Sequence, residues 1–384
     1  MRDAPRPDED ALALSARLSA RIRQAVVAAG GRLGFDAYMQ LALYAPGLGY
    51  YVNGLRKFGA EGDFVTAPER SPLFARALAR QVAQVLKAVP GGEVLEFGPG
   101  SGALAAELLA ELERLGCVPS RYLMLELGAE LKQRQREAIA RRVPQLAGRV
   151  QWLGQLPERL CGVVIANEVL DAMPVRRFRT TADGLAELCV ALADEALCLQ
   201  AVPAQDAEVT RRLAGLDLPP GYETEVNLTA EAWLRTLAER LVRGVALLID
   251  YGYPRTEYYH PQRRTGTLRC HYRQQAHDDA LRWPGLQDIT AHVDFSAMAQ
   301  AACEAGLTVA GFANQAQFLI NCGLTELLEA VDPTGEDYLD LAVQARQLLL
   351  PQAMGEAFKV LALMRDLDHL ALLGFRHGDR RHVL

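Results

Sequence analysis

The sequence predicts an α/β fold built on a mostly parallel sheet. Three observations carry that expectation: from Val94 onward short apolar runs alternate with helix-length segments, a glycine-rich turn follows the first run, and acids stand where later runs end. At 384 residues, half of them apolar, the chain is long enough for one large domain with additions. The expected organisation is a helical and loop-rich N-terminal addition over 1–90 and an α/β domain over 91–384, with insertions at about 176–225 and 253–290.

Residues 1–9 are charged and punctuated by proline, which predicts a loose tail. Leu14, Leu18, Ile22 and Val26 then recur at every fourth position and stop at Gly30-Gly31, as in an amphipathic helix with a glycine stop. From Phe35 to Glu69 the pattern changes to aromatics and glycines, including Tyr38, Tyr44, Gly47, Gly49, Tyr50, Tyr51 and Phe64. With so little periodicity the stretch reads as loop-rich, covering a site or capping a core. Helical spacing resumes over 71–88 through Leu73, Phe74, Leu78, Val82, Val85 and Leu86.

Val94-Leu95-Glu96-Phe97 pairs with a helix over 102–116, and Tyr122 to Glu126 with a helix over 129–142; this is βαβα, which demands a parallel sheet. Further strands fit Val150 to Leu153, Val163 to Ala166 and Val245 to Asp250, the last preceded by a helix with the stripe Leu234, Leu237 and Leu241. Between the fourth and fifth strands, Leu188-Cys189-Val190 and Leu197-Cys198-Leu199 flank Asp194-Glu195, which reads as a hairpin within an insertion from Arg176 to Ala204. A helix near 295–305, a strand Leu307 to Phe312 and a strand Phe358 to Met364 complete the pattern.

Charge and cysteine usage narrow the function classes. Forty-one basic against 47 acidic side chains give a net charge of −6, and no segment interleaves basic residues with aromatics as a nucleic-acid groove would. No apolar run approaches the roughly eighteen residues of a membrane span. The 7 cysteines are odd in number and scattered without a C-x-x-C pair, so neither a disulfide framework nor a zinc site is written in the spacing; no metal is expected. Reduced thiols, with Asp3, Asp8, Glu9 and Asp10 where a targeting peptide would be basic, point to the cytoplasm.

The chemistry is concentrated in Glu96-Phe97-Gly98-Pro99-Gly100-Ser101-Gly102, where a strand turns into a helix. Spacing alone is ambiguous: Gly98, Gly100 and Ala103 satisfy the dinucleotide pattern G-x-G-x-x-G/A, while Gly98, Gly100 and Gly102 satisfy the G-x-G-x-G of S-adenosylmethionine-dependent methyltransferases. Charge favours the second. A carboxylate at Glu96 repels a pyrophosphate but suits a cationic amine and sulfonium, and Pro99 removes a donor that a phosphate would use. Glu126, at the end of the next strand, can accept both hydroxyls of a ribose and is common to either ligand.

Longer motifs surround this turn: Phe35-x-x-Tyr38-Met39, Ala42-Leu43-Tyr44-x-Pro46-x-x-Gly49-Tyr50-Tyr51, Gly62-Asp63-Phe64-x-Thr66-x-Pro68-Glu69, Ala166-Asn167-Glu168-x-x-Asp171-Ala172-x-Pro174-Val175, Asp250-Tyr251-Gly252, Gly266-Thr267-Leu268-Arg269 and Asp288-Ile289-Thr290-Ala291-His292-Val293-Asp294-Phe295. Over about residues 33–365 the chain resembles the MidA-like family of S-adenosylmethionine-dependent methyltransferases, whose mitochondrial members serve respiratory complex I assembly. The resemblance implies a class I, Rossmann-like methyltransferase sheet and methylation of arginine in a protein partner. The chain departs from the family at Gly128, where a serine often follows Glu126-Leu127.

Methyl transfer to a guanidinium needs orientation, exclusion of water and an acid that binds the cation and takes up its proton. Asn167-Glu168-x-x-Asp171 follows the fourth strand, whose carboxyl end is where ligands lie in an open α/β sheet. Glu168 is the expected guanidinium ligand or base, Asp171 a second catalytic candidate or a turn acid, and Asn167 a polar contact to the cofactor or the acceptor. Phe64 can cover the cofactor while Thr66 binds its carboxylate; Tyr251 and His292 are candidates on the acceptor side. Two alternatives stay open: an assembly factor that binds the nucleoside without catalysis, and a nicotinamide-dependent oxidoreductase.

Overall fold

The computed structural model describes residues 6–54 and 66–384. It forms two compact units: one gathers the described residues of Met1–Phe64 with Asp171–Ala232 and Arg255–Asp294, the other those of Val65–Leu170 with Trp233–Pro254 and Phe295–Leu384.

The second unit holds the predicted sheet: β1 (Glu93–Phe97), β2 (Tyr122–Leu125), β3 (Val150–Leu153), β4 (Leu160–Asn167), β5 (Leu241–Tyr253), β6 (Thr308–Asn314) and β7 (Phe358–Arg365). They run in the order β6-β7-β5-β4-β1-β2-β3. β1 is parallel to β2 and β4, β2 to β3, and β4 to β5, whereas β7 is antiparallel to both β5 and β6. The mixed α/β architecture with a mostly parallel sheet is the class I, Rossmann-like arrangement. Val163, Val164 and Ile165 of β4 are all fully buried, which explains why this strand reads as a continuous apolar run: helices cover both sheet faces. The helices bearing on the site are α1 (Pro72–Ala88), α2 (Ala103–Arg114) and α3 (Ala129–Arg142). Ser71 caps α1 by accepting the Leu73 N–H, with Pro72 opening the first turn. Because α1 packs in the core of this unit through Leu78, Val82 and Val85, the boundary between units falls before it, not at residue 90.

In the other unit, the N-terminal segment folds together with the insertions. Helix Glu9–Ala28 carries the expected stripe and ends before Gly30-Gly31. The hairpin is Gly184–Ala193 with Ala196–Pro203, turning at Asp194 and Glu195, both left-handed at φ 46° and 66°. It belongs to a 5-stranded sheet with Arg32–Leu33, Arg176–Thr181 and Glu223–Val226. One expectation is corrected: Phe35–Tyr44, read as loop, is a helix that buries Phe35, Tyr38, Met39, Ala42 and Leu43. Tyr38 and Tyr44 supply both apolar surface and hydrogen bonds, their hydroxyls donating to the carbonyls of Ala280 (2.5 Å) and Ala172 (3.0 Å). Among the described residues, no helix is long and apolar enough to cross a membrane.

Candidate functional site

The strand order reverses between β1 and β4, because the chain leaves β1 for β2 on one side and returns to β4 on the other. Such a switch point leaves a crevice beyond the carboxyl ends of the two strands. Gly98, Gly100 and Gly102 follow β1 with φ of 54°, 51° and 84°, a backbone path that L side chains rarely take. The turn is closed by the Gly102 N–H on the Pro99 carbonyl (2.8 Å), and Gly102 then accepts the Ala106 N–H to start α2. A Cβ on Gly98 would lie 3.4 Å from Cγ2 of Val169, so the loops after β1 and β4 meet.

Glu96 lies inside the sheet layer, only 3% exposed, and accepts the Tyr122 hydroxyl at 2.7 Å. Burial pushes its carboxyl up from 4.5 to about 7, the Tyr122 hydrogen bond pulling the other way and the charge of Glu126 adding to the rise. It is thus a buried acid poised near neutrality. Glu126 is buried just past the end of β2; Oε1 accepts the Gly128 N–H (2.7 Å) and Oε2 the Gln135 side-chain amide (3.1 Å). The carboxylate therefore satisfies the N–H of Gly128, the N-cap of α3, whereas a serine at 128 would accept from N–H groups further into the first turn.

After β4 the chain turns sharply. Glu168 is left-handed at φ 54°, a conformation costing a non-glycine residue about 1 kcal/mol. It is held by its own N–H on the Ile249 carbonyl (2.9 Å) and by Asp250 of β5, three residues before that strand ends. Asp250 is fully buried; Oδ2 accepts the Val169 and Leu170 N–H groups (3.2 and 2.9 Å) and Oδ1 that of Tyr251 (2.9 Å). Oε1 of Glu168 accepts the Ala67 N–H (3.3 Å) and the Asn167 side-chain amide (3.2 Å), which brings the segment after Thr66 beside it. With its amide so directed, Oδ1 of Asn167 is a buried acceptor without a partner among the described residues.

These residues fit an adenosyl sulfonium ligand. The turn brings bare backbone to the crevice, Glu126 offers carboxylate oxygens where ribose hydroxyls can donate, and Asn167 offers an unsatisfied acceptor of the polarity an ammonium or adenine amine requires. Residues 77–313 match the family model described as S-adenosyl-L-methionine-dependent methyltransferase. The chain belongs to this methyltransferase family. S-adenosyl-L-methionine is its cofactor, and the nicotinamide alternative falls away.

The methyltransferase is 48% identical to a Burkholderia thailandensis protein whose crystal structure holds S-adenosyl-homocysteine; the match covers 100% of both chains with a TM-score of 0.97. Curated relatives include the mitochondrial protein arginine methyltransferase NDUFAF7 of Mus musculus, 31% identical over 85% of this chain and 80% of that one. The Danio rerio protein of the same name is 29% identical over 88% and 85%.

Of the residues anticipated from the sequence, the methyltransferase brings Glu96, Gly98, Gly100, Gly102, Glu126, Asn167, Glu168, Thr66 and Tyr251 into one unit. Tyr251 sets its ring edge-on to Phe358, with centroids 5.5 Å apart. Asp171 and His292 belong to the other unit, where the Ala291 N–H donates to the Asp171 carbonyl (3.0 Å) and the His292 N–H to Thr267 Oγ1 (3.2 Å). Phe64 lies outside the described residues. Asp250 was not anticipated as a site residue, although its place at the end of the expected strand Val245 to Asp250, beside Tyr251, was a usable signal.

Proposed function

We propose that this methyltransferase methylates a guanidinium nitrogen of arginine in a protein partner. The observation that carries the reading is Glu168, a carboxylate fixed in a left-handed turn at the carboxyl end of β4, beside the loop that meets the glycine turn. The names of the relatives, protein arginine methyltransferases, support the same acceptor.

When bound, S-adenosyl-L-methionine supplies a methyl group on a sulfonium, open to in-line displacement by nitrogen. The chain's own residues do the rest. The glycine turn and Glu126 hold the nucleoside, and Asn167 Oδ1 accepts from its polar end. Glu168 pairs with the guanidinium, aims one nitrogen, and takes the proton that nitrogen loses as the new N–C bond forms and the C–S bond breaks. Anchoring one oxygen through Ala67 and Asn167 fixes the direction of the carboxylate, so little reorientation is left for the reaction itself.

The acceptor we propose is a subunit of a respiratory assembly, in line with the MidA-like resemblance. The compartment we propose is the cytoplasm, in line with its scattered cysteines, all 7 present as free thiols. Incubating the chain with tritiated S-adenosyl-L-methionine and an extract of cells lacking it, followed by acid hydrolysis and amino-acid analysis, tests the acceptor. Label is expected in methylarginine; label confined to another amino acid would overturn the arginine assignment.

A further inference from the structure

Gln135 lies in the middle of α3, in the polar run Gln133-Arg134-Gln135-Arg136-Glu137, yet it is fully buried. Its side-chain amide donates to the Gly100 carbonyl (2.9 Å) and to Oε2 of Glu126 (3.1 Å). Its oxygen accepts the indole N–H of Trp152 on β3 (2.8 Å). Both amide hydrogens and the amide oxygen are therefore spent, and the indole, a donor only, decides which way the amide faces. Trp152 is itself held under the Arg136 guanidinium, 4.8 Å from its ring centre. The helix backbone sits close as well: a Cβ on Gly102 would lie 2.9 Å from Cα of Gln135.

One side chain thus ties the two halves of the nucleoside-binding apparatus, the glycine turn after β1 and the acid after β2. We propose that Gln135, oriented by Trp152, is a positioning residue for the cofactor, setting the rotamer of Glu126 and the path of the glycine turn through a single amide. The inference rests on the assignment of Gly98–Gly102 and Glu126 to the cofactor. A glutamate at 135 could donate to neither partner and would set a second carboxylate against Glu126, so the pair would have to share a proton before the site could form.

The test is calorimetric titration of the full chain with S-adenosyl-homocysteine, on the wild type, Gln135→Ala, Gln135→Glu, Trp152→Phe, Glu126→Ala and the double variant Glu126→Ala/Gln135→Ala. Gln135→Ala should bind roughly tenfold to a hundredfold more weakly, the range for a hydrogen bond to a charged partner. In the Glu126→Ala background the same change should cost only a few-fold, because the carboxylate it positions is gone. Trp152→Phe should weaken binding several-fold, and the gap between Gln135→Glu and wild type should narrow as the pH is lowered from about 8 to about 5.5, as a shared proton is taken up. Wild-type affinity in folded Gln135→Ala would overturn the proposal, as would an equal loss with and without Glu126 or a pH-independent gap for Gln135→Glu. Failure of the wild type to bind, or undiminished binding by Glu126→Ala, would instead remove the site assignment, and the inference with it.

Discussion

Replacing Gly102 by alanine puts two costs on the glycine turn that can be separated. Gly102 sits at φ 84°, where an L residue is worse off than glycine by about 1–2 kcal/mol. The new Cβ would also meet Cα of Gln135 at 2.9 Å and its Cγ and Cβ at 3.2 and 3.3 Å. The nearest of these atoms is backbone, so no rotamer change relieves the contact; either α3 or the turn must shift, at about 1–3 kcal/mol. Gly116 provides the control, with φ 65° and nothing within 4 Å of its missing Cβ. Gly116→Ala carries the conformational cost alone. At about 1.2 °C per kcal/mol for a chain of 384 residues, Gly102→Ala should melt about 2–6 °C below wild type and Gly116→Ala about 1–3 °C below. Thermal melts followed by titration with S-adenosyl-homocysteine would check both. Gly102→Ala should also bind at least tenfold more weakly, while Gly116→Ala binds as wild type. If the two variants melt together and both bind normally, the close packing of α3 on the turn has no functional weight.

Two further outcomes follow from buried acids. Asp250→Asn leaves one oxygen and two N–H donors facing three backbone N–H groups, so the loop carrying Glu168 should loosen, at about 1–3 kcal/mol of stability; tritium transfer should fall at least tenfold while S-adenosyl-homocysteine affinity holds, and unchanged transfer in the folded variant would refute this. Glu96 has its folded pKa raised from 4.5 to about 7, so the protonated form is favoured by the fold, and its stabilising contribution, about 3 kcal/mol, is complete below pH 4.5 and lost as the pH rises through 7. Glu96→Gln cannot ionise, so wild type should lose melting temperature relative to it between about pH 5 and about pH 8; parallel profiles would contradict the burial of that carboxyl.

The sheet was legible because its strands are buried on both faces and read as apolar runs, and the glycine turn because left-handed backbone leaves few alternatives to glycine. The strands Arg176–Thr181 and Glu223–Val226 were not, because they pair through charge: Arg177 and Arg179 reach Glu223 at 3.0 and 2.6 Å, and Arg176 reaches Glu187 at 2.7 Å. Such cross-strand ion pairs stabilise a sheet without leaving an apolar alternation to read. The helix Phe35–Tyr44 was obscured by the glycines and tyrosines that follow it, although its buried positions have helical spacing. Within the site, Glu126 and Glu168 could be named from their positions at strand ends. The roles of Asp250 and Gln135 could not, since each is defined by backbone or side-chain partners brought together only by the parallel sheet, and nothing local marks the left-handed turn at Glu168.

Glu168→Gln tests the catalytic assignment most directly, because the amide oxygen can still accept the Ala67 N–H while the charge and the proton acceptor are lost. Binding of S-adenosyl-homocysteine and tritium transfer should be measured on the same preparation. The expected result is affinity within a few-fold of wild type with transfer reduced about a hundredfold or more; transfer persisting at the wild-type rate would contradict the placement of the methyl-transfer chemistry at the end of β4.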